Sequence, residues 1–199
     1  MKKRFLSFDE IRNNGIKLAY KIYKDTGIPD IIYVLLRGGA LLGNILSEYF
    51  KILCKNRRPV YYAAVVARSR KDIHRANRVM VDGWTYNPDY LRQGDKILLV
   101  DDIFDTGRTI NYLVEIIIDK GIPRHDIKIA VHDYKVRKYT HTQLPIQPDY
   151  YCYKHIIEQE KNDFWIHYLS HELADLTKEE LEKYYYVQNP SLKEALDTL

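Results

Sequence analysis

The chain has 199 residues, of which 46% are hydrophobic and 29% charged, with a formal net charge of +4 and a pI near 8.8. That length suits one domain with at most a small appendage, the apolar fraction excludes a disordered chain, and the charge is too small for a dedicated nucleic-acid binder. Two cysteines without CxxC spacing, Cys54 and Cys152, exclude a disulfide framework or zinc ribbon, and no stretch approaches the roughly 18 consecutive apolar residues of a membrane span, so a cytoplasmic setting without membrane or nucleic-acid partners is expected.

Ser7 to Lys24 carries helical periodicity, with Ile11, Ile16, Leu18, Ala19 and Ile22 as an apolar stripe, Ser7 or Asp9 as N-cap, and Gly27 and Pro29 as the stop. Asp30–Leu36 is a β-branched apolar run that reads as a strand, and Arg37, Gly38 and Gly39 turn from it into a helix over about Ala40–Phe50. Pro59–Ala67 reads as a third strand. The basic, weakly patterned segment Arg68–Arg78 reads either as a solvated charge run or as a mobile functional loop. Val79–Asp82 suggests a return strand and Gly83–Gln93 a loop. Lys96–Val100 is a short buried strand stopped by Asp101 and Asp102; Asp105, Thr106, Gly107, Arg108 and Thr109 then lead into a helix over Ile110–Lys120. A further strand is expected over Asp126–His132. From Lys135 the pattern changes to short aromatic pieces, then a helical tail from Thr177 to about Tyr186 and another helix after Pro190.

Strands alternating with helices imply an α/β class with a parallel twisted sheet flanked by helices, and ligands bound at the carboxyl ends of the strands. Two carboxylates ending a core strand are costly without partners, whereas a lone Asp-Asp pair at a solvated strand end is commonplace. A strand, a small-residue loop and a helix start together make an anion cradle. The same residues allow plainer readings: Thr106 or Asp105 as an ordinary helix cap, and Gly38-Gly39 as a simple turn. Two apparent motifs fail. Gly38–Gly43 has P-loop spacing but Asn44 and Ile45 replace Lys-Ser/Thr, and His171-Glu172 lacks the second histidine of HExxH.

Lys96–Thr109 resembles the 5-phosphoribosyl-1-pyrophosphate (PRPP) motif of type I phosphoribosyltransferases: four apolar residues, two acids, two further residues, then Asp-Thr-Gly-Lys/Arg-Thr, every position being filled. The resemblance implies that fold with a small C-terminal hood, residues 1–134 forming the PRPP-binding core and 135–199 the hood and helical tail, packed as one domain. Asp101 and Asp102 would face the ribose hydroxyls, directly or through Mg²⁺ held mainly by substrate oxygens and water. Asp105 and Thr106–Thr109 would hold the 5-phosphate, with Asp105 also the general base near N7 of a purine. Arg37, Gly38 and Gly39 would present backbone N–H groups to pyrophosphate, with a cis peptide before Arg37, and Arg68, Ser69, Arg70 and Lys71 would belong to a flexible loop closing over the site.

The aromatic C-terminal region resembles the hood of 6-oxopurine enzymes. There Lys135 would donate to O6, and Trp165 and Ile166 would contact the base, although Trp165 could equally be a core residue. An ammonium only donates, which favours a 6-oxo over a 6-amino group. The implied activity is purine salvage, transferring phosphoribosyl from PRPP to N9 of hypoxanthine, guanine or xanthine. A uracil or adenine enzyme, or a non-catalytic PRPP-binding regulator, are the alternatives. The resemblance also implies a homodimer or homotetramer.

Overall fold

The computed structural model describes residues 2–54, 58–72, 75–140 and 144–197; for 68–72 and 75–78 it describes the backbone. The chain divides into two compact units, residues 9–163 and residues 1–8 with 164–199.

Taken in chain order, the elements are β1 (Lys2–Leu6), α1 (Phe8–Thr26), β2 (Ile31–Leu36), α2 (Ala40–Leu53), β3 (Tyr61–Asp72), β4 (Arg75–Trp84), β5 (Ile97–Phe104), α3 (Arg108–Asp119), β6 (Ile127–Arg137), β7 (Tyr150–Ile157), β8 (Phe164–Tyr168), α4 (Lys178–Leu181) and α5 (Leu192–Leu196). In the larger unit six strands pair in the order β4-β3-β2-β5-β6-β7, all parallel except for β4 against β3. The expected α/β class is observed. β5 lies between β2 and β6, and its first four residues are buried, as a strand covered on both faces requires.

Two apolar layers sandwich the sheet. Ile110, Leu113, Val114 and Ile117 of α3 cover the face carrying Tyr33, Leu99, Ile129 and Val131. Leu18, Ala19 and Ile22 of α1, with Leu42, Leu46 and Phe50 of α2, cover the face carrying Val34, Leu98, Val100 and Ala130. The α1 stripe departs from expectation at one position. Ile16 is exposed and Gly15 is buried in its place, because the residues 11, 15, 18, 19 and 22 follow one helical face and 16 does not. Gly27, at φ +79°, ends α1 as expected.

The basic segment is corrected by the structure. Arg68, Ser69, Arg70 and Lys71 lie in β3, and the backbone continues as an antiparallel ribbon that pairs Arg68 with Met80 and Asp72 with Arg75. Such a ribbon is held by main-chain hydrogen bonds and needs no apolar alternation, so charge patterning concealed it. Ile73 and His74 lie outside the described residues. β6 is also longer than expected and runs unbroken across the 134/135 boundary drawn from sequence, which puts Lys135 and Arg137 on a core strand.

In the smaller unit, β1 and β8 pair in parallel, Lys2 opposite Phe164 and Leu6 opposite Tyr168. Phe5 packs between His167 and Tyr184, with ring centroids 5.1 and 4.1 Å away. Thr177 caps α4 in a reciprocal capping box with Glu180, as the expected helix start there requires.

The packing of α2 on β2 rests on a missing side chain: a Cβ at Gly43 would fall 2.4 Å from Val34 Cγ2. Gly43→Ala should therefore destabilise the protein by about 1–3 kcal/mol through overpacking, read as a lowered midpoint in urea denaturation at unchanged slope.

Candidate active site

Two strand-to-helix turns meet at the carboxyl edge of the sheet because β2 and β5 are parallel neighbours. The first is Arg37–Gly39, entered through a cis peptide between Leu36 and Arg37. A Cβ at Gly38 would fall 2.3 Å from Asp102 Oδ2, and one at Gly39 would fall 2.7 Å from the Val100 carbonyl oxygen and 2.8 Å from that of Leu35. Only glycine lets the turn lie this close to the end of β5. The Gly39 N–H donates to the Leu35 carbonyl at 2.9 Å, so it is not presented to a ligand; that corrects the expectation that both glycine N–H groups are offered.

The second turn, Asp105–Gly107, leads into α3. Gly107 is its N-cap residue at φ +75°, packed on the Phe104 ring, and no side chain caps the helix. Thr106 and Asp105 therefore do not act as ordinary caps, and the 12-residue helix presents its first N–H groups at the sheet edge. Thr106 is exposed while Arg108 and Thr109 are half-buried around the same helix start.

Asp101 and Asp102 are half-buried. The Asp102 N–H donates to Asp101 Oδ1 at 3.0 Å, and the Ile103 N–H to Asp102 Oδ1 at 2.8 Å. Burial and the adjacent Asp102 carboxylate hold the Asp101 carboxyl well above the usual carboxylate range. Its ionised form is costly unless hydroxyl donors or a cation face it. This donor chemistry fits Mg²⁺ shared with a substrate, and among the described residues no group of three or more His, Cys, Asp or Glu side chains is placed to hold a metal unaided.

Asp105 and Lys135 line one cleft of about 460 Å³, together with Thr106, Arg108, Arg137 and Gln147. Lys135 is 5% exposed, and its ammonium donates to Asp163 Oδ1 at 2.9 Å. Arg137 Nε donates to the other oxygen of Asp163 at 2.6 Å, and Tyr139 Oη donates to that oxygen at 2.8 Å. Arg137 Nη1 lies 2.5 Å from Asp105 Oδ1, an ion pair without hydrogen-bond alignment, since that buried oxygen has no hydrogen-bond partner. Sequence reasoning missed Arg137, Tyr139 and Asp163. They became legible only once β6 was seen to extend to Arg137.

Asn111 was missed as well. Its side chain sits in the second turn of α3, where it donates to the Gly107 and Ile146 carbonyls at 3.0 and 2.9 Å and accepts from the Ile146 N–H at 3.1 Å. The connection from β6 to β7 is thereby fastened to the turn that opens α3. A second cavity of about 360 Å³, at the amino ends of β5 and β6, contains none of the expected site residues. Trp165 and Ile166 belong to the smaller unit. There Trp165 is half exposed, which removes the core alternative, its indole donating to Glu172 at 3.3 Å, and Ile166 is buried.

Residues 7–170 match the family model described as a phosphoribosyl transferase domain. The bifunctional protein PyrR of Brevibacillus brevis is 29% identical over 142 residues, covering 70% of this chain and 75% of that protein. The bifunctional protein PyrR of Clostridium perfringens is 30% identical over 156 residues, covering 75% and 82%. Among solved structures, the purine phosphoribosyltransferase of Pyrococcus horikoshii superposes with a TM-score of 0.65 at 21% identity, over 89% of this chain and 100% of that one. Among the described residues no helix is long and apolar enough to cross a membrane.

The raised Asp101 carboxyl has a measurable sign. Its folded-state value lies above the unfolded one, so the wild type loses stability as pH rises through that interval. Asp101→Asn keeps the Oδ1 acceptor and removes the charge. In ligand-free protein it should melt higher than wild type at pH 8, by a margin that shrinks at pH 4; an equal margin at both would contradict the burial argument.

Proposed function

The chain belongs to the phosphoribosyl transferase domain family, and from that premise we propose that it acts in purine salvage, moving the 5-phosphoribosyl group of PRPP to N9 of a 6-oxopurine. The observation that carries this reading is the shared cleft of Asp105 and Lys135, with the uncapped start of α3 at its edge. One end offers a proton acceptor beside a phosphate cradle, and the other offers an ammonium that can only donate, matching O6 of hypoxanthine, guanine or xanthine. The Pyrococcus horikoshii neighbour is itself named a purine phosphoribosyltransferase, in agreement with this reading.

In this mechanism the N–H groups and side chains of Thr106–Thr109 hold the 5-phosphate, and Asp101 and Asp102 accept hydrogen bonds from the ribose hydroxyls. Arg37 and Gly38 face the pyrophosphate. As the N9–C1′ bond forms and the bond from C1′ to the pyrophosphate oxygen breaks, Asp105 takes the proton leaving N7. Mg²⁺, when it enters with PRPP, supplies charge neutralisation at the leaving group. Trp165 and Ile166 are assigned to the base by resemblance, and the β3–β4 ribbon carrying Arg68, Ser69, Arg70 and Lys71 to closure over the site. Most of the rate enhancement is positioning and charge stabilisation.

A second reading has its own support. Relatives at 27–30% identity are named bifunctional, which suits an enzyme for another base, such as uracil or adenine, or a protein that also regulates. A spectrophotometric panel of hypoxanthine, guanine, xanthine, adenine, uracil and orotate with PRPP and Mg²⁺ separates the two. Turnover of 6-oxopurines is expected; activity confined to uracil or adenine moves the assignment, and silence with every base leaves the regulator. Within the first reading, Asp105→Asn should lower kcat by roughly 10²-fold or more while PRPP affinity measured by calorimetry stays within a few fold.

A further inference from the structure

Arg137 touches both the proposed proton acceptor, Asp105, and Asp163, the carboxylate that holds Lys135. Its Nη1 is 2.5 Å from Asp105 Oδ1 and its Nε 2.6 Å from Asp163 Oδ2, while Asp163 Oδ1 receives Lys135 at 2.9 Å. Charges alternate along this chain, Lys135, Asp163, Arg137, Asp105, so two cations and two anions balance in a half-buried place where an unmatched charge would be expensive. Burial alone would disfavour the guanidinium charge, but the two carboxylates outweigh it and keep Arg137 protonated.

The geometry divides the two oxygens of Asp105. Oδ1 is buried beside Arg137, yet the side chain as a whole keeps about 40% of its exposure, so that exposure lies on the remaining atoms. One oxygen is held by the cation while the other is left for the cleft. A guanidinium can do this because its fork presents Nε and Nη1 along different edges to two different carboxylates; an ammonium is a point charge and cannot span both in fixed directions.

We propose that Arg137 is a positioning residue for phosphoribosyl transfer: anchored by Asp163, it fixes the carboxylate of Asp105 so that its free oxygen faces the purine N7. This rests on the assignment of Asp105 as proton acceptor. Arg137 acts through Asp105, and so its contribution belongs to turnover and not to PRPP binding.

A double-mutant cycle on the full-length protein tests this, with steady-state kinetics on PRPP, Mg²⁺ and the preferred 6-oxopurine, and thermal melts to confirm folding. Arg137→Gln should lower kcat about tenfold or more with the KM for PRPP within about threefold, and Arg137→Lys should recover part of the loss. In the Asp105→Asn background, Arg137→Gln should cost less than about twofold, because the group it positions is gone. Equal losses in both backgrounds, or a raised KM at unchanged kcat, would overturn the positioning role. Should Arg137→Gln fail to fold, Arg137→Lys in the same two backgrounds decides by the same comparison. A silent Asp105→Asn overturns the acceptor assignment and this proposal together, whereas a costly Asp105→Asn with additive losses overturns only the role of Arg137.

Discussion

The site depends on how closely two backbones approach at the carboxyl edge of the sheet. Gly38 and Gly39 lie so close to the carboxyl ends of β5 and β2 that neither could carry a side-chain carbon, the nearest groups being the Asp102 carboxylate and the Val100 and Leu35 carbonyls. Parallel pairing of β2 and β5 sets that approach, and two apolar layers hold the strands in place. Everything chemical follows from it. The acids sit beneath the first turn, the uncapped helix start lies beside them, and Asp105 is carried to the edge of the neighbouring cleft.

Much of this architecture was readable from residue order. Apolar runs before Arg-Gly-Gly and before Asp-Asp mark β2 and the buried first half of β5, and the small residues between Asp105 and Thr109 mark the helix start; but Asp101 and Asp102 do not stop β5, which pairs with β6 through them to Phe104, because main-chain pairing does not require apolar side chains. The charge chain was not readable. Arg137 and Asp163 are separated by one strand, β7, and its connecting loops, and neither stands in a motif; only the parallel pairing of β6 and β7 and the turn before β8 bring their side chains together. Asn111 was hidden for a related reason, since an amide inside a helix reads as an ordinary polar residue until its partner Ile146 is known. The β3–β4 ribbon failed differently. Main-chain pairing leaves no trace in a basic sequence that lacks apolar alternation.

The family match runs over both strand-to-helix turns, the acids and the side chains of β6 alike. In the proposed mechanism PRPP is recognised by main-chain geometry and carboxylates that the fold itself supplies, and the incoming base by side chains on β6 and beyond. Asp163 locks Lys135, Arg137 and Tyr139 together, so a change at one of them has to accommodate the other two.

The pairing of β1 with β8 also has a consequence in time. Lys2 and Phe164 lie at opposite ends of the stretch that forms the sheet, and a parallel ladder between them closes only when both exist. During synthesis the first strand made must wait, unpaired, until the strands, helices and turns of the larger unit have all been produced. The larger unit can gather its contacts as it emerges; the smaller one is assembled last, by the most distant strand pairing in the chain.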